Sequence, residues 1–336
     1  MQHQRQHLLT EPTAPTPSPS SWKLRFPDVI DSTMVSCYSA CPTKFYYEFI
    51  EGLSPSGTSP DLHAGAAFAR GMEAVRRVYF NPGEHPLAPR PSATDAICAG
   101  LLAFMREWGE YEPPANHPKT FLNTLLSFID YFEVYPLDSD PLRPYFTHNG
   151  PAIEFTFAIP IPVRHPQTGN MILYGGRFGM LACYQDAIFV VDEKTTRALG
   201  ESWLNQWKMR GQLIGYTWAA REHSIPAIGA IVRGIGILKT ETMHLQVVEQ
   251  YPDFLIYNWY RNMLTKVERM VQDYRAISDG VRPAAAAISR SFGDACAAYG
   301  GCPYLSLCTT HDPREWFDNF QRRRWNPLNR NPWSPL

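Results

Sequence analysis

Val190-Val191-Asp192-Glu193-Lys194-Thr195-Thr196 decides the fold of this chain. It closes the apolar run Ala187-Ile188-Phe189-Val190-Val191, which is short, rich in β-formers and bounded by polar residues. That pattern predicts a buried strand over Ala187–Lys194. Residues two apart on a strand face the same side, so Asp192 and Lys194 point together from its end. A carboxylate there can hold a divalent cation, and an ammonium beside it can steady a nucleophile or a developing negative charge. Alone, the same pair reads equally as an exposed acid and lysine at a strand exit, so the segments on either side carry the decision.

Upstream, Ala152–Ile159 alternates as a half-buried strand does, and Met171–Tyr174, continuing toward Tyr184, predicts a second strand. Downstream, Trp203–Arg221 predicts one helix, Ala227–Leu238 and His244–Val248 two more strands, and Tyr257–Asp279 a long helix. Further toward the N-terminus the pattern is helical. Ser36–Glu51 is interrupted by Pro42, and Gly65–Phe80 carries the stripe Phe68, Met72, Val75 and Tyr79. Ser92–Trp108 and Lys119–Tyr135 read as two further helices. The order is an α-rich part, then β-β-β-α-β, then a helix and a tail: one α/β domain with a helical insertion. Residues 1–24, rich in Pro, Ser, Thr and Gln, read as a flexible tail. A helical region over 25–150, a core over 151–285 and a Cys-rich tail over 286–336 complete the division.

With 336 residues, 44% of them hydrophobic, the chain can bury a sizeable core. Its net charge of −1 steers nothing toward nucleic acid, so any such contact must be a local basic patch. No run of about 18 apolar residues predicts a membrane span, and no apolar segment marks a secretory signal. Seven cysteines, an odd number, argue against a secreted disulfide framework and for a reducing, cytoplasmic setting.

A phosphodiester-cleaving site needs two or three acidic oxygens for a hard cation and a positive group to balance the transition state. Glu154 is a possible second donor, although strand alternation alone would place it on the solvent face. Gln212 and Tyr216 are four apart on the predicted helix, so an amide and a phenol share a face suited to a phosphate backbone. Cys296, Cys302 and Cys308 are evenly spaced in CAAYGGCPYLSLC; with Cys41, or Cys37 in competition, they make four thiols able to hold zinc or an iron–sulfur cluster. Cys98 and Cys183 read as core positions. Arg322-Arg323-Arg324-Trp325 suits phosphate contact with stacking. Arg76, Arg77, Lys208, Arg210, Arg221 and Arg233 are candidates for lining a nucleic-acid channel.

In order along the chain, Ser32, Cys41-Pro42-x-Lys44-Phe45-Tyr46-Tyr47, Gly65-Ala66-Ala67-Phe68, Gly176-Arg177-Phe178-Gly179, Asp192-Glu193-Lys194-Thr195-Thr196, Gln212-x-x-x-Tyr216 and the Cys296/Cys302/Cys308 tail resemble the PD-(D/E)XK nuclease superfamily. The likeness is to its RecB-like, AddB-like branch with an iron–sulfur cluster, of phage or prophage type, and covers residues 32–328. The resemblance implies a restriction-endonuclease-like α/β core, a central mixed sheet flanked by helices, with an N-terminal helical part and a C-terminal Cys-rich tail. It implies Mg²⁺ or Mn²⁺ held by Asp192 and the Glu193 backbone carbonyl, with Lys194 activating water and Glu154 assisting. It assigns Gln212, Tyr216, Arg177 and Thr195 to DNA, and Cys41, Cys296, Cys302 and Cys308 to a 4Fe–4S cluster. The implied partners are single- or double-stranded DNA and a helicase or recombination protein, in the cytoplasm of a bacterial or phage-infected cell, with no membrane. The chain departs from the family pattern twice: Gly179 stands where the family places its main metal-binding Asp, and Ala69 where many members carry a His. Two functions are therefore expected: a metal-dependent DNA nuclease in recombination, repair or replication, or an inactive nuclease fold that binds DNA or protein.

Overall fold

The computed structural model describes residues 24–81, 91–280, 287–298 and 301–335. The tail expected over 1–24 lies outside these residues apart from Leu24. The chain adopts the expected mixed α/β architecture, a central mixed sheet flanked by helices and followed by a cysteine-bearing C-terminal segment.

Among the described residues the first elements are β1 (Val29–Ile30) and α1 (Ser32–Ala40). Asp31 caps α1 by accepting from Met34 N at 2.8 Å. The helix expected over Ser36–Glu51 breaks at Cys41, which is extended because Pro42 disfavours helix in the residue before it. The chain resumes as α2 (Pro42–Phe45) and continues as a wider π-type turn, Tyr46–Ile50, closed by Glu51 N donating to Tyr46 O at 2.8 Å. After β2 (Leu53–Pro55) come α3 (Pro60–Phe80), α4 (Ala93–Trp108) and α5 (Phe121–Val134). Gly71 and Gly100 let α3 and α4 touch: a Cβ on Gly71 would lie 2.5 Å from the Phe128 ring, and one on Gly100 would collide with Val75.

Short strands β3 (Arg143–Pro144), β4 (Phe146–Thr147) and β5 (Gly150–Pro151) lead into the long ones. These are β6 (Ile153–Arg164), β7 (Met171–Tyr184) and β8 (Ala187–Thr196), an antiparallel meander. The helix expected over Trp203–Arg221 is two: α6 (Glu201–Asn205) and α7 (Gly211–Glu222). Tyr251 donates its hydroxyl to Trp207 O at 2.9 Å, the carbonyl that a continuous helix would need for Gly211 N. Next come β9 (Ala227–Ile237), parallel to β8, the outer strand β10 (Thr242–Gln250), and α8 (Asp253–Ser278). The C-terminal segment ends in β11 (Phe320–Trp325) and β12 (Trp333–Pro335), and β11 pairs back onto β2.

One apolar cluster draws on α1, α2, β6, β7, α7, α8 and the C-terminal segment; Phe45, Phe157, Tyr216, Val267 and Leu307 all belong to it. A second, around Phe68, Phe104 and Phe128, holds α3, α4 and α5 to the opposite face of the sheet. Cys98 and Cys183, expected in the core, are exposed. The buried face of α4 runs through Ala96, Gly100, Phe104 and Trp108, which turns Cys98 away.

Candidate functional site

The sheet splits at its centre. On one edge, β7 pairs with β1 up to Tyr174 and with β8 from Met180 onward. Among the described residues Gly175–Gly179 has no ladder partner on that edge. Across the split, β8 continues to Thr196 on β9 alone. Gly176-Arg177-Phe178-Gly179 and Asp192-Glu193-Lys194 thus face one opening, between α7 on one side and α3 and α5 on the other.

Asp192 and Lys194 do share a face. Lys194 Nζ lies 2.7 Å from Asp192 Oδ2, in an ion pair whose angle is not that of a hydrogen bond. The Lys194 head is a third exposed and the Asp192 carboxylate mostly covered. Glu193 points the opposite way, into the interior. Arg76 from α3 grips it at both oxygens, with Nη1 donating to Oε2 at 3.1 Å and Nη2 to Oε1. Tyr131 from α5 donates to Oε1 at 3.1 Å. Burial pushes the Glu193 carboxyl up, but Arg76, Arg233 and Tyr131 pull harder and hold it below the usual range. Arg233 lies behind Tyr131, 1% exposed, forked onto Asp140 at 2.6 and 2.7 Å and donating to Tyr131 Oη at 2.9 Å. Arg76 and Arg233 therefore do not line a channel; both are interior counter-ions. The sequence did hold a signal for Arg233: it is the one charged residue in the apolar strand Ala227–Ile237.

Gly179 and Glu154 mark a kink shared by β6 and β7. Ile153 pairs with Met180 in the cluster on the α3 face, whereas Phe155 pairs with Phe178, ring on ring at 5.3 Å, toward α7. The residues between these pairs are Glu154 and Gly179, so both strands swap faces there. Glu154 makes the swap with φ +50, a conformation rare for a side-chain-bearing residue. Its carboxylate therefore leaves the alternation and meets Arg177 Nε at 3.0 Å. Burial pushes Glu154 up, against the pull of Arg177. A Cβ on Gly179 would lie 3.6 Å from both Arg76 Nη1 and Glu193 Oε2.

Gln212 donates to Tyr216 Oη at 3.0 Å, and the Tyr216 ring packs on Phe178 and against Gly176. Burial and then the charge of Asp192 push the Tyr216 phenol up, which places it near that carboxylate. Arg177 is held by Glu154 and by the carbonyl of Arg330 at 3.1 Å. Thr195 lies on the Glu193 side, where its hydroxyl and carbonyl accept from buried Lys119 at 3.1 and 3.2 Å. Glu73 on α3, mostly buried, collects Arg70, Arg77 and Arg330. Ala69, four residues before it, is exposed. Arg330, which reaches Glu73 at 2.6 Å, was not anticipated, because nothing local marks a residue in an irregular segment as folding back onto α3. Of the basic tract, Arg322 is engaged by Glu51 and Trp325 donates to Asp31 at 3.1 Å, so β11 uses these residues to pack.

Cys302 and Cys308 lie within electrostatic reach of Cys41 and Cys296. Burial pushes Cys302 and Cys308 up, and each is raised further by Cys41 and Cys296 nearby. Cys37 instead turns to Glu48, its Sγ 3.7 Å from Oε2. Among the described residues no three His, Cys, Asp or Glu side chains converge closely enough to hold a metal ion. No described helix is long and apolar enough to cross a membrane.

A family model described as the PD-(D/E)XK nuclease superfamily matches residues 32–309. No curated protein matches the chain. A solved structure described as "Crystal structure of SSO0001" is similar at 15% identity over 65% of this chain and 84% of that one, with a TM-score of 0.26, a superposition too loose to bear on function.

Proposed function

Because the chain belongs to the PD-(D/E)XK nuclease superfamily, we propose that it binds DNA through that fold and no longer hydrolyses it with a divalent metal. One observation carries the proposal: the carboxylates at the sheet opening and behind it already have resident cations. Asp192 has Lys194, Glu193 has Arg76, Glu154 has Arg177, and Glu73 has Arg70, Arg77 and Arg330. A Mg²⁺ site relies on one or two free carboxylates in near-octahedral geometry. With Gly179 contributing none, the residues present do not fit such an ion. The partly exposed heads of Lys194, Arg77 and Arg330 at the rim suit phosphate oxygens, which bind DNA without reading its sequence.

Fluorescence anisotropy with single- and double-stranded oligonucleotides tests binding, and Mn²⁺-supported cleavage of the same oligonucleotides tests catalysis. Binding that weakens steeply with salt, without cleavage, is the expected result. The nuclease reading has its own support in the Asp192–Lys194 pair beside Gln212 and Tyr216. Cleavage by the native chain that disappears in Lys194→Ala would establish that reading and overturn the first.

Within the superfamily, we place the chain in the RecB-like branch, serving phage or bacterial recombination, repair or replication. Four half-buried thiols within electrostatic reach of one another support a cluster held by Cys41, Cys296, Cys302 and Cys308, and the Cys37–Glu48 contact favours Cys41 as the upstream ligand. Such a cluster would supply a structural crosslink and no step of the chemistry. Protein purified anaerobically should be brown and contain iron; colourless protein with stoichiometric zinc would refute the cluster.

A further inference from the structure

We infer that the groove between α1, α8 and the first turn of α7 holds one nucleotide with an unpaired base, its phosphate against the start of α7 and its base between the two facing helices. The inference rests on the reading of the chain as a DNA-binding protein and names what one part of it receives. The groove has a volume of about 540 Å³, within the range of small-molecule sites. It adjoins the sheet opening: its wall includes Tyr174, the last residue that β7 pairs with β1, and Gly211, the residue before Gln212. Tyr174 is 1% exposed, and its hydroxyl has no hydrogen-bond partner among the described residues. A buried phenol left unpaired is costly unless a ligand or a water completes it.

Two glycines bring that hydroxyl to the groove. Gly211 and Gly215 are one turn apart on α7 and leave a bare strip on which Trp259 of α8 lies. A Cβ on Gly215 would stand 2.6 Å from the indole and 2.7 Å from Tyr174 Oη, and one on Gly211 would stand 3.4 Å from Trp259 Nε1. The same turn of α7 has no side-chain cap, and the N–H groups of Gly211 and Gln212 have no acceptor among the described residues. Trp259 Nε1 is likewise without an acceptor there. These donors, at the positive end of a helix, suit a phosphate. Lys266 is the only charged side chain in the lining, and no carboxylate accompanies it. One cation is too few for a duplex backbone, which is held by many. The remaining walls suit a base. Asn258 and Asn262 face the groove from α8, four residues apart, and Ser32, Ser36 and Ser39 face it from α1. Amides and hydroxyls both donate and accept, as the free edge of an unpaired base does. Half-buried Trp259 adds an aromatic surface.

The test uses the full chain without divalent metal. A single-stranded oligonucleotide carrying iododeoxyuridine is irradiated on the protein, and the crosslinked peptide is identified by mass spectrometry. Affinities for thymidine monophosphate, the single strand and a duplex are measured by titration calorimetry. The crosslink should fall in α8 or α1. Tyr174→Phe, and separately Asn258→Ala with Asn262→Ala, should weaken single-strand binding by ~10-fold, the scale of a hydrogen bond or two, and leave duplex binding unchanged. Asn258 and Asn262 are exposed, so the double variant keeps the test open if Tyr174→Phe does not fold. Crosslinks elsewhere, with the folded variants binding the strand normally, would overturn the inference and leave the DNA-binding reading standing. If no oligonucleotide binds, that reading fails and the mononucleotide decides the groove. Saturable binding that the variants lose would assign the groove to a free nucleotide, and no binding would overturn the inference. Inorganic phosphate that competes as well as the mononucleotide would overturn the contact to the base.

Discussion

At the scale of single residues, the interior of this protein is held by ions as much as by apolar packing. Glu193 and Arg76 are both almost fully buried, and removing one partner leaves an uncompensated charge. Glu193→Gln should therefore cost about 3–5 kcal/mol in urea unfolding; a loss below about 1 kcal/mol would show that water reaches the pair. Asp31 differs in sign. Burial, only partly offset by Met34 N–H and Trp325, pushes its carboxyl up to about 6. A raised carboxyl binds its proton more tightly when folded, so stability falls as pH rises from the unfolded value near 4 through about 6. Asp31→Asn keeps a capping oxygen and should flatten that slope, measured as unfolding free energy at pH 4, 5 and 6.5. An unchanged slope would assign it to other groups.

At the scale of elements, close approach governs. Alanine normally stabilises a helix interior relative to glycine by about 1 kcal/mol. Gly100→Ala should do the reverse and lower the melting temperature, because its Cβ would collide with Val75 and crowd the Gly71 carbonyl. The long periodic elements were legible in the sequence: the Phe68-Met72-Val75 stripe, the alternation after Ile153 and the apolar run ending at Val191 all became the elements they suggested. Asp192 facing Lys194, and Gln212 facing Tyr216, followed from the same periodicities. The break between α6 and α7 was not legible, because the tyrosine hydroxyl that engages the Trp207 carbonyl there lies some forty residues downstream. Nor was the turn at Glu154, where a positive φ overrides alternation. Arg76 looked like a surface cation because helical spacing gives a face but not what covers that face.

At the scale of the whole molecule, the segment around α1 and β2 and the cysteine-bearing segment finish each other. The strand β11 pairs with β2, Tyr304 donates to Leu53 O at 2.7 Å, and Trp325 reaches Asp31 across 294 residues. Deleting the chain after Thr310 should therefore loosen α1 and α2 while sparing α4 and α5. Limited proteolysis would show cleavage moving into residues 41–55; an unchanged digestion pattern would mean that the N-terminal elements stand alone. The same closure has a consequence in time. A ribosome adds about 5–20 residues per second, so β2 emerges tens of seconds before the strand that will pair with it. Through that interval Tyr47, Phe49 and Leu53, all buried in the finished protein, have no C-terminal segment to cover them. The nascent chain must carry this greasy patch until β11 has been made, which makes it a natural client for chaperones that act during synthesis.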